Sequence, residues 1–170
     1  MLPEFLYYNR MPPVPDQYHP SIFLAGPTPR DSSTSWRSEA RKIFEEIDFQ
    51  GNILIPEPAD GSDIEIDYEQ QVRWEWKGLE RSDCILFWVP RELETLPGFT
   101  TNIEFGAWYQ SGKVVLGSPD DAVKMRYMKH CAKVYNIPVY SDLKSTISTA
   151  IFIANSNKKA NAGKPQMLVS

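Results

Sequence analysis

The sequence predicts an α/β fold: a three-layer sandwich with a five-stranded, mainly parallel sheet and helices on both faces. Three observations predict it. Short apolar runs alternate with amphipathic stretches along the chain. The strongest run, Asp83-Cys-Ile-Leu-Phe-Trp-Val-Pro90, is apolar without a polar face, as in a strand covered on both sides. The runs end in Gly or Pro, where strands pass into loops. A length of 170 residues fits one domain. With 42% hydrophobic and 24% charged residues, disordered, collagen-like and coiled-coil readings are excluded.

Five prolines between Met1 and Pro20 exclude regular helix there, so residues 1–20 read as an extended Pro-rich arm lying on the body. The α/β domain is assigned to residues 21–156, and the Lys/Asn/Gly-rich residues 157–170 to a flexible tail. Within the domain, Ser21-Ile-Phe-Leu-Ala-Gly26 is a buried strand. Ser35 is placed to cap a helix running to Asp48, with Ala40, Ile43, Phe44 and Ile47 on its inner face and Gly51 closing it. Asn52-Ile-Leu-Ile-Pro56 is a second strand, followed by an acidic loop from Glu57 to Asp67. Tyr68 to Arg81 reads as a helix whose apolar stripe is Tyr68, Val72, Trp76 and Leu79. After the Asp83–Pro90 strand come a helix from about Thr101 to Ser111, a strand Lys113–Gly117 and a helix Asp121–Tyr135. A last strand Ile137–Tyr140 and a helix from Asp142 to about Asn155 complete the series.

Lys and Arg total 18 against 22 Asp and Glu, a net charge of −4, the wrong sign for a surface that tracks a nucleic-acid polymer. No run reaches the roughly 20 apolar residues of a membrane span, and Met1–Arg10 has no signal pattern, so a cytoplasmic protein is expected. Cys84 and Cys131 read as reduced cysteines, and His19 and His130 have no metal-site spacing; no metal or cofactor is expected.

In a parallel sheet, ligands bind beyond the carboxyl ends of the strands. Three regions there carry unusual polar groups. The stretch Gly26-Pro27-Thr28-Pro29-Arg30 through Ser35-Trp36-Arg37 enters a helix N-terminus with hydroxyls and two arginines, which suits an anion such as phosphate; an ordinary capped turn fits equally. In Pro97-Gly98-Phe99-Thr100-Thr101-Asn102-Ile103-Glu104-Phe105-Gly106, hydroxyls cap a helix whose first turn holds Glu104. The helix dipole would keep that carboxylate ionised, as a nucleophile requires, although an acid there also simply stabilises a helix start. Gly106, costly inside a helix, implies a close backbone approach. Gln71 and Glu75 lie one turn apart on the Tyr68–Arg81 helix. Taken alone, Glu75 is a solvated helix charge. Taken with Glu104, and with one strand between them, it can reach the same sheet edge; carboxylates about 5 Å apart form the retaining-glycosidase pair.

Phe23-Leu24-Ala25-Gly26-Pro27, the helix Trp74-Glu75-Trp76-Lys77-Gly78-Leu79 with Arg81-Ser82-Asp83, and above all Thr101-Asn102-Ile103-Glu104-Phe105-Gly106 resemble the nucleoside 2-deoxyribosyltransferase family and its deoxynucleotide N-hydrolase relatives. The resemblance covers about Ser21 to Tyr140. It implies a flavodoxin- or Rossmann-like sheet and cleavage or transfer of an N-glycosidic bond in a (deoxy)ribonucleoside or its 5′-monophosphate. It further implies Glu104 as nucleophile, and Glu75, where the family usually has Asp, as the group that protonates or orients the departing base. Gly98 stands where the transferases carry a further Asp. The N-hydrolases of 5′-monophosphates lack that Asp and use a small hydroxyl residue, a role for Thr100 or Thr101 with the Gly26–Arg30 loop. Phe23, Trp36 and Trp74 are candidates to sandwich the base, with core packing as the alternative for each. The expected partner is a small nucleoside or nucleotide.

Two alternatives stand beside this reading. Pro97 to Glu104 also resembles the signature of cytokinin-type phosphoribohydrolases, without its second and third glycines, and a nucleotide-binding sensor would keep the pocket without turnover. The family resemblance also implies a homo-oligomer, for which the aromatic arm Leu2–Tyr18 is a candidate contact.

Overall fold

A computed structural model of the chain describes residues 3–8, 18–30, 34–58 and 67–162. Among these, the elements in chain order are β1 (Glu4–Tyr7), β2 (Ser21–Ala25), α1 (Arg37–Glu46), β3 (Asn52–Ile55), α2 (Tyr68–Arg81), β4 (Cys84–Trp88), α3 (Phe99–Trp108), β5 (Val114–Gly117), α4 (Arg126–Val134), β6 (Val139–Tyr140) and α5 (Leu143–Ala162). The strands form one sheet in the order β1-β3-β2-β4-β5-β6, and every pairing is parallel.

The sheet has six strands rather than the five expected. The added one, β1, comes from the segment read as an arm: Glu4 to Tyr7 pair in register with Asn52 to Ile55. The flanking backbone supports it, with Glu4 N–H donating to Gly51 O at 3.0 Å and Tyr8 N–H to Glu57 O at 3.3 Å. Pro3 and Pro12 bracket this run without entering it, so its amides remain free to join a ladder. Residues 9–17 of the arm and 163–170 of the expected tail lie outside the described residues, as do Asp31–Ser33 of the first polar loop and 59–66 of the acidic loop.

Alternation along the strands sends side chains to two cores. Ile22, Leu24, Ile53, Ile55, Leu86 and Val115 pack under α1 and α5 against Phe44, Ile147 and Ala150. Phe23, Leu54, Ile85, Phe87 and Leu116 pack under α2, α3 and α4 against Trp74, Phe105 and Met128. Burying both faces is why β2, β3 and β4 read as unbroken apolar runs. Asp83 locks the starts of β2 and β4 together, its Oδ2 accepting from Ser21 N–H at 2.9 Å and Ser21 Oγ at 2.8 Å. Cys84 and Cys131 are both free thiols.

Several element ends differ from expectation for local reasons. Ser35 lies just outside α1; its Oγ accepts from Arg37 N–H and donates to Glu57. α1 stops at Glu46 because Asp48 takes a left-handed φ of 54°. Gly51 therefore does not close the helix; it is packed so tightly that a Cβ would lie 2.4 Å from Pro20 O. α2 has the predicted bounds, with Asp67 accepting from Glu69 and Gln70 amides as its cap. Its buried face is Trp74, Gly78 and Leu79, whereas Tyr68 and Trp76 are exposed. Gly78 decides this: a Cβ there would be 2.7 Å from the Phe23 ring, so only this face can lie on the sheet. α5 continues past Asn155 to Ala162, fastened by Asn157 Nδ2 donating to Asp83 O at 2.9 Å. No helix of the described residues is long and apolar enough to cross a membrane.

Candidate active site

After β2 the chain turns to β3 on one side, then returns to β4 on the other. The loops following β2 and β4 therefore diverge, and a crevice opens between them at the carboxyl edge of the sheet. It is a cleft of about 290 Å³. Gly26, Pro27, Thr28 and Arg30 enter it from the first loop, Gln71 and Glu75 from α2, and Gly98, Thr100, Thr101 and Glu104 from the start of α3.

The first loop is held from below. Gly26 has φ of +154°, and a Cβ there would sit 2.2 Å from Trp88 O, so no other residue fits without displacing backbone. Arg37, 2% exposed, donates from Nε to Leu24 O at 3.2 Å, from Nη2 to Gly26 O at 2.8 Å, and from Nη1 to Thr28 Oγ1 at 3.2 Å. Its Nη1 also pairs with Glu57 Oε1 at 2.6 Å. That guanidinium is consumed in shaping the loop. Arg30 is different: it lies over the Phe99 ring, 5.6 Å from the centroid, and has no ion pair among the described residues.

The second loop delivers Glu104, though not as expected. α3 begins at Phe99 behind Gly98, whose φ of +63° is the left-handed turn that glycine tolerates best. Thr100 and Thr101 are inside the helix and make no cap, and Glu104 falls in the second turn. The dipole's favour for an anion fades within the first turn. Burial then dominates, joined by the charge of Glu75 and opposed by Arg37, and pushes Glu104 up to about 8. The expectation that helix position keeps Glu104 ionised is therefore corrected. Burial also raises Glu75, against the opposing pull of its hydrogen bond from Gln71 Nε2 at 2.9 Å and of Arg37. At neutral pH the two carboxyl groups together keep a proton, which belongs to the pair.

Two of the expected site residues lie elsewhere. Trp36 is under the loop, its Nε1 donating to Pro27 O at 3.1 Å. Asn102 is on the other side of α3, where its Oδ1 accepts from Arg91 Nη2. Phe23 and Trp74 are 0% exposed and Trp36 9%, so none of the three presents a face to the cleft. The aromatic rings that do line it are Tyr68 and Phe99. Tyr68 was hidden in the presumed apolar stripe, and its position at the helix start was the available signal. Arg37 stands in the polar run after Gly26, but its guanidinium is spent on the Leu24 and Gly26 carbonyl oxygens, the Thr28 hydroxyl and Glu57. At Gly106 a Cβ would meet nothing within 4 Å, so no other part of the described chain approaches it closely.

A family model described as nucleoside 2-deoxyribosyltransferase like matches residues 19–122, more than half of the chain and including every residue of the cleft. No curated protein matches the chain.

Proposed function

The chain belongs to the nucleoside 2-deoxyribosyltransferase-like family, and from that premise we propose that it cleaves or transfers the N-glycosidic bond of a (deoxy)ribonucleoside or its 5′-monophosphate through Glu104. One observation carries the proposal: Glu75 and Glu104 line the same cleft. Burial, joined by the charge of Glu75, raises Glu104, so the pair would hold one proton at neutral pH. A retaining mechanism needs that combination of one anion and one acid.

With the shared proton on Glu75, the Glu104 carboxylate attacks the anomeric carbon. The C–N bond breaks, a sugar ester forms on Glu104, and the departing base takes the proton from Glu75. Water, or a second base, then attacks the ester, returns its proton to the pair and frees Glu104. Charge on the oxocarbenium-like transition state is met by a carboxylate already in place and poorly hydrated, so little reorganisation is required.

Tyr68 and Phe99 are the rings placed to stack against a base. A 5′-phosphate is favoured by Arg30, by Thr28, Thr100 and Thr101, and by the first amides of α3, of which the earliest to bond within the helix is Asn102 N–H to Gly98 O. The test is incubation with ribo- and deoxyribonucleosides, with and without 5′-phosphate, followed for free base, with a second base added to separate transfer from hydrolysis. The proposal expects Glu104→Gln to abolish base release, by about 10³-fold or more, while the protein still binds the substrate. Unchanged turnover in that variant would overturn it, and absence of turnover in the wild type with retained nucleotide binding would favour the sensor reading.

A further inference from the structure

Across α3 from the cleft lies a second hollow, of about 420 Å³, whose walls include Arg91, Phe105, Gly106, Tyr109, Lys124 and Tyr127. Arg91 is 6% exposed. Its Nη1 donates to Lys124 O at 3.2 Å, and its Nη2 to Asn102 Oδ1 and, at 3.8 Å, to Met128 Sδ. Its Nε finds no acceptor among the described residues, and neither Arg91 nor Lys124 has an ion pair among them. A buried guanidinium held only by neutral acceptors is an uncompensated charge, and burial duly lowers its proton affinity. Lys124, on a left-handed turn with φ of 57°, adds a second cation at the same rim.

Apart from Asn102, the remaining walls are mostly apolar and aromatic. Phe105 and Tyr109 stack at 6.0 Å, and between them and Tyr127 the helix surface is bare at Gly106, where a side chain would find open space. A glycine inside a helix sacrifices stability, and here its absent Cβ deepens the hollow.

We propose that this hollow is a binding site, distinct from the cleft, for a small organic anion on a flat apolar body: its carboxylate, sulfonate or phosphate between Arg91 and Lys124, its ring along Gly106. The inference does not depend on the chemistry assigned to Glu104.

The experiment is calorimetric titration of the full chain with naphthalene-1-sulfonate, and with naphthalene-1-methanol as a neutral probe of the same shape. The sulfonate binds at least about tenfold more tightly than the alcohol. Lys124→Gln weakens the sulfonate severalfold and leaves the alcohol unchanged. Gly106→Leu, whose Cβ meets nothing within 4 Å and whose side chain improves the helix, abolishes both while thermal unfolding is unimpaired. Arg30→Gln, in the cleft, changes neither. Equal affinity for both probes, or no binding of the sulfonate, overturns the proposal. So does loss of binding in Arg30→Gln but not in Gly106→Leu, which would put the probe in the cleft. Light scattering closes the last route: a dimer of the wild type that Gly106→Leu dissociates would mean that the hollow receives a second copy of the chain.

Discussion

Glu104 sits in the cleft at a cost to the fold, and the direction of that cost is testable. Its folded value is raised to about 8, so the folded state holds a proton that the unfolded chain releases near pH 4.5. Stability is therefore full below that unfolded value and is lost as pH rises through about 8. Glu104→Gln should leave stability unchanged at pH 4 and raise it at pH 9, by on the order of 2 kcal/mol, measured by urea unfolding at the two pH values. Glu75→Gln tests the partner. In the wild type, base release should follow a bell-shaped pH profile, with its alkaline limb near 8 as the shared proton leaves and its acid limb where Glu104 becomes protonated. Glu75→Gln removes the charge that raises Glu104 and the acid that protonates the base, so turnover should fall and the alkaline limb should disappear. An unchanged limb would mean that another group sets it. Arg37→Met strands Glu57, the Leu24 carbonyl of β2 and two oxygens of the first loop; it should lower unfolding free energy by about 3 kcal/mol.

The helices and strands show why some of this architecture can be read from the amino-acid order and some cannot. The bounds of α2 are legible because Asp67 is a cap and the apolar spacing that follows is helical. Its buried face is not, because Trp76 and Trp74 are equally apolar on paper and only the fit of Gly78 against Phe23 chooses between them. The start of α3 is not legible, because Thr100 and Thr101 are ordinary capping residues, while the left-handed turn at Gly98 depends on the chain's path out of β4. β1 was concealed by its proline-rich surroundings. The convergence of Gln71, Glu75 and Glu104 was foreseeable, since strand order in a parallel sheet brings those loops to one edge; the proton balance between the acids was not, because it depends on burial. Gly78→Ala probes the link between packing and chemistry. The added methyl must push α2 off the Phe23 ring, 2.7 Å away, costing about 1–3 kcal/mol in urea unfolding. It should also reduce turnover, because Glu75 rides on the same helix.

At the scale of the whole molecule, the described residues form a six-stranded sheet with the cleft at its carboxyl edge and with β1 and β6 as its border strands. Removing residues 1–8 would bare the backbone of Asn52–Ile55, a parallel edge that invites pairing with another chain. The expected result is a lower melting temperature and heat-induced aggregation that the intact chain lacks, followed by light scattering during a thermal ramp. The same truncation tests whether the arm contributes to a homo-oligomer: the mass measured at low temperature should fall to that of one chain if it does. An arm that serves only the sheet would leave that mass unchanged.

The pairing of β1 with β3 also bears on biosynthesis. β1 leaves the ribosome before β3, its neighbour in the sheet of the described residues, which is encoded downstream beyond β2 and α1. At roughly 5–20 residues per second, Phe5, Leu6 and Tyr7 wait some seconds in the nascent chain before Asn52–Ile55 emerges to receive them. Synonymous codons that slow elongation between these two segments should lengthen that wait and increase chaperone capture of the unfinished polypeptide.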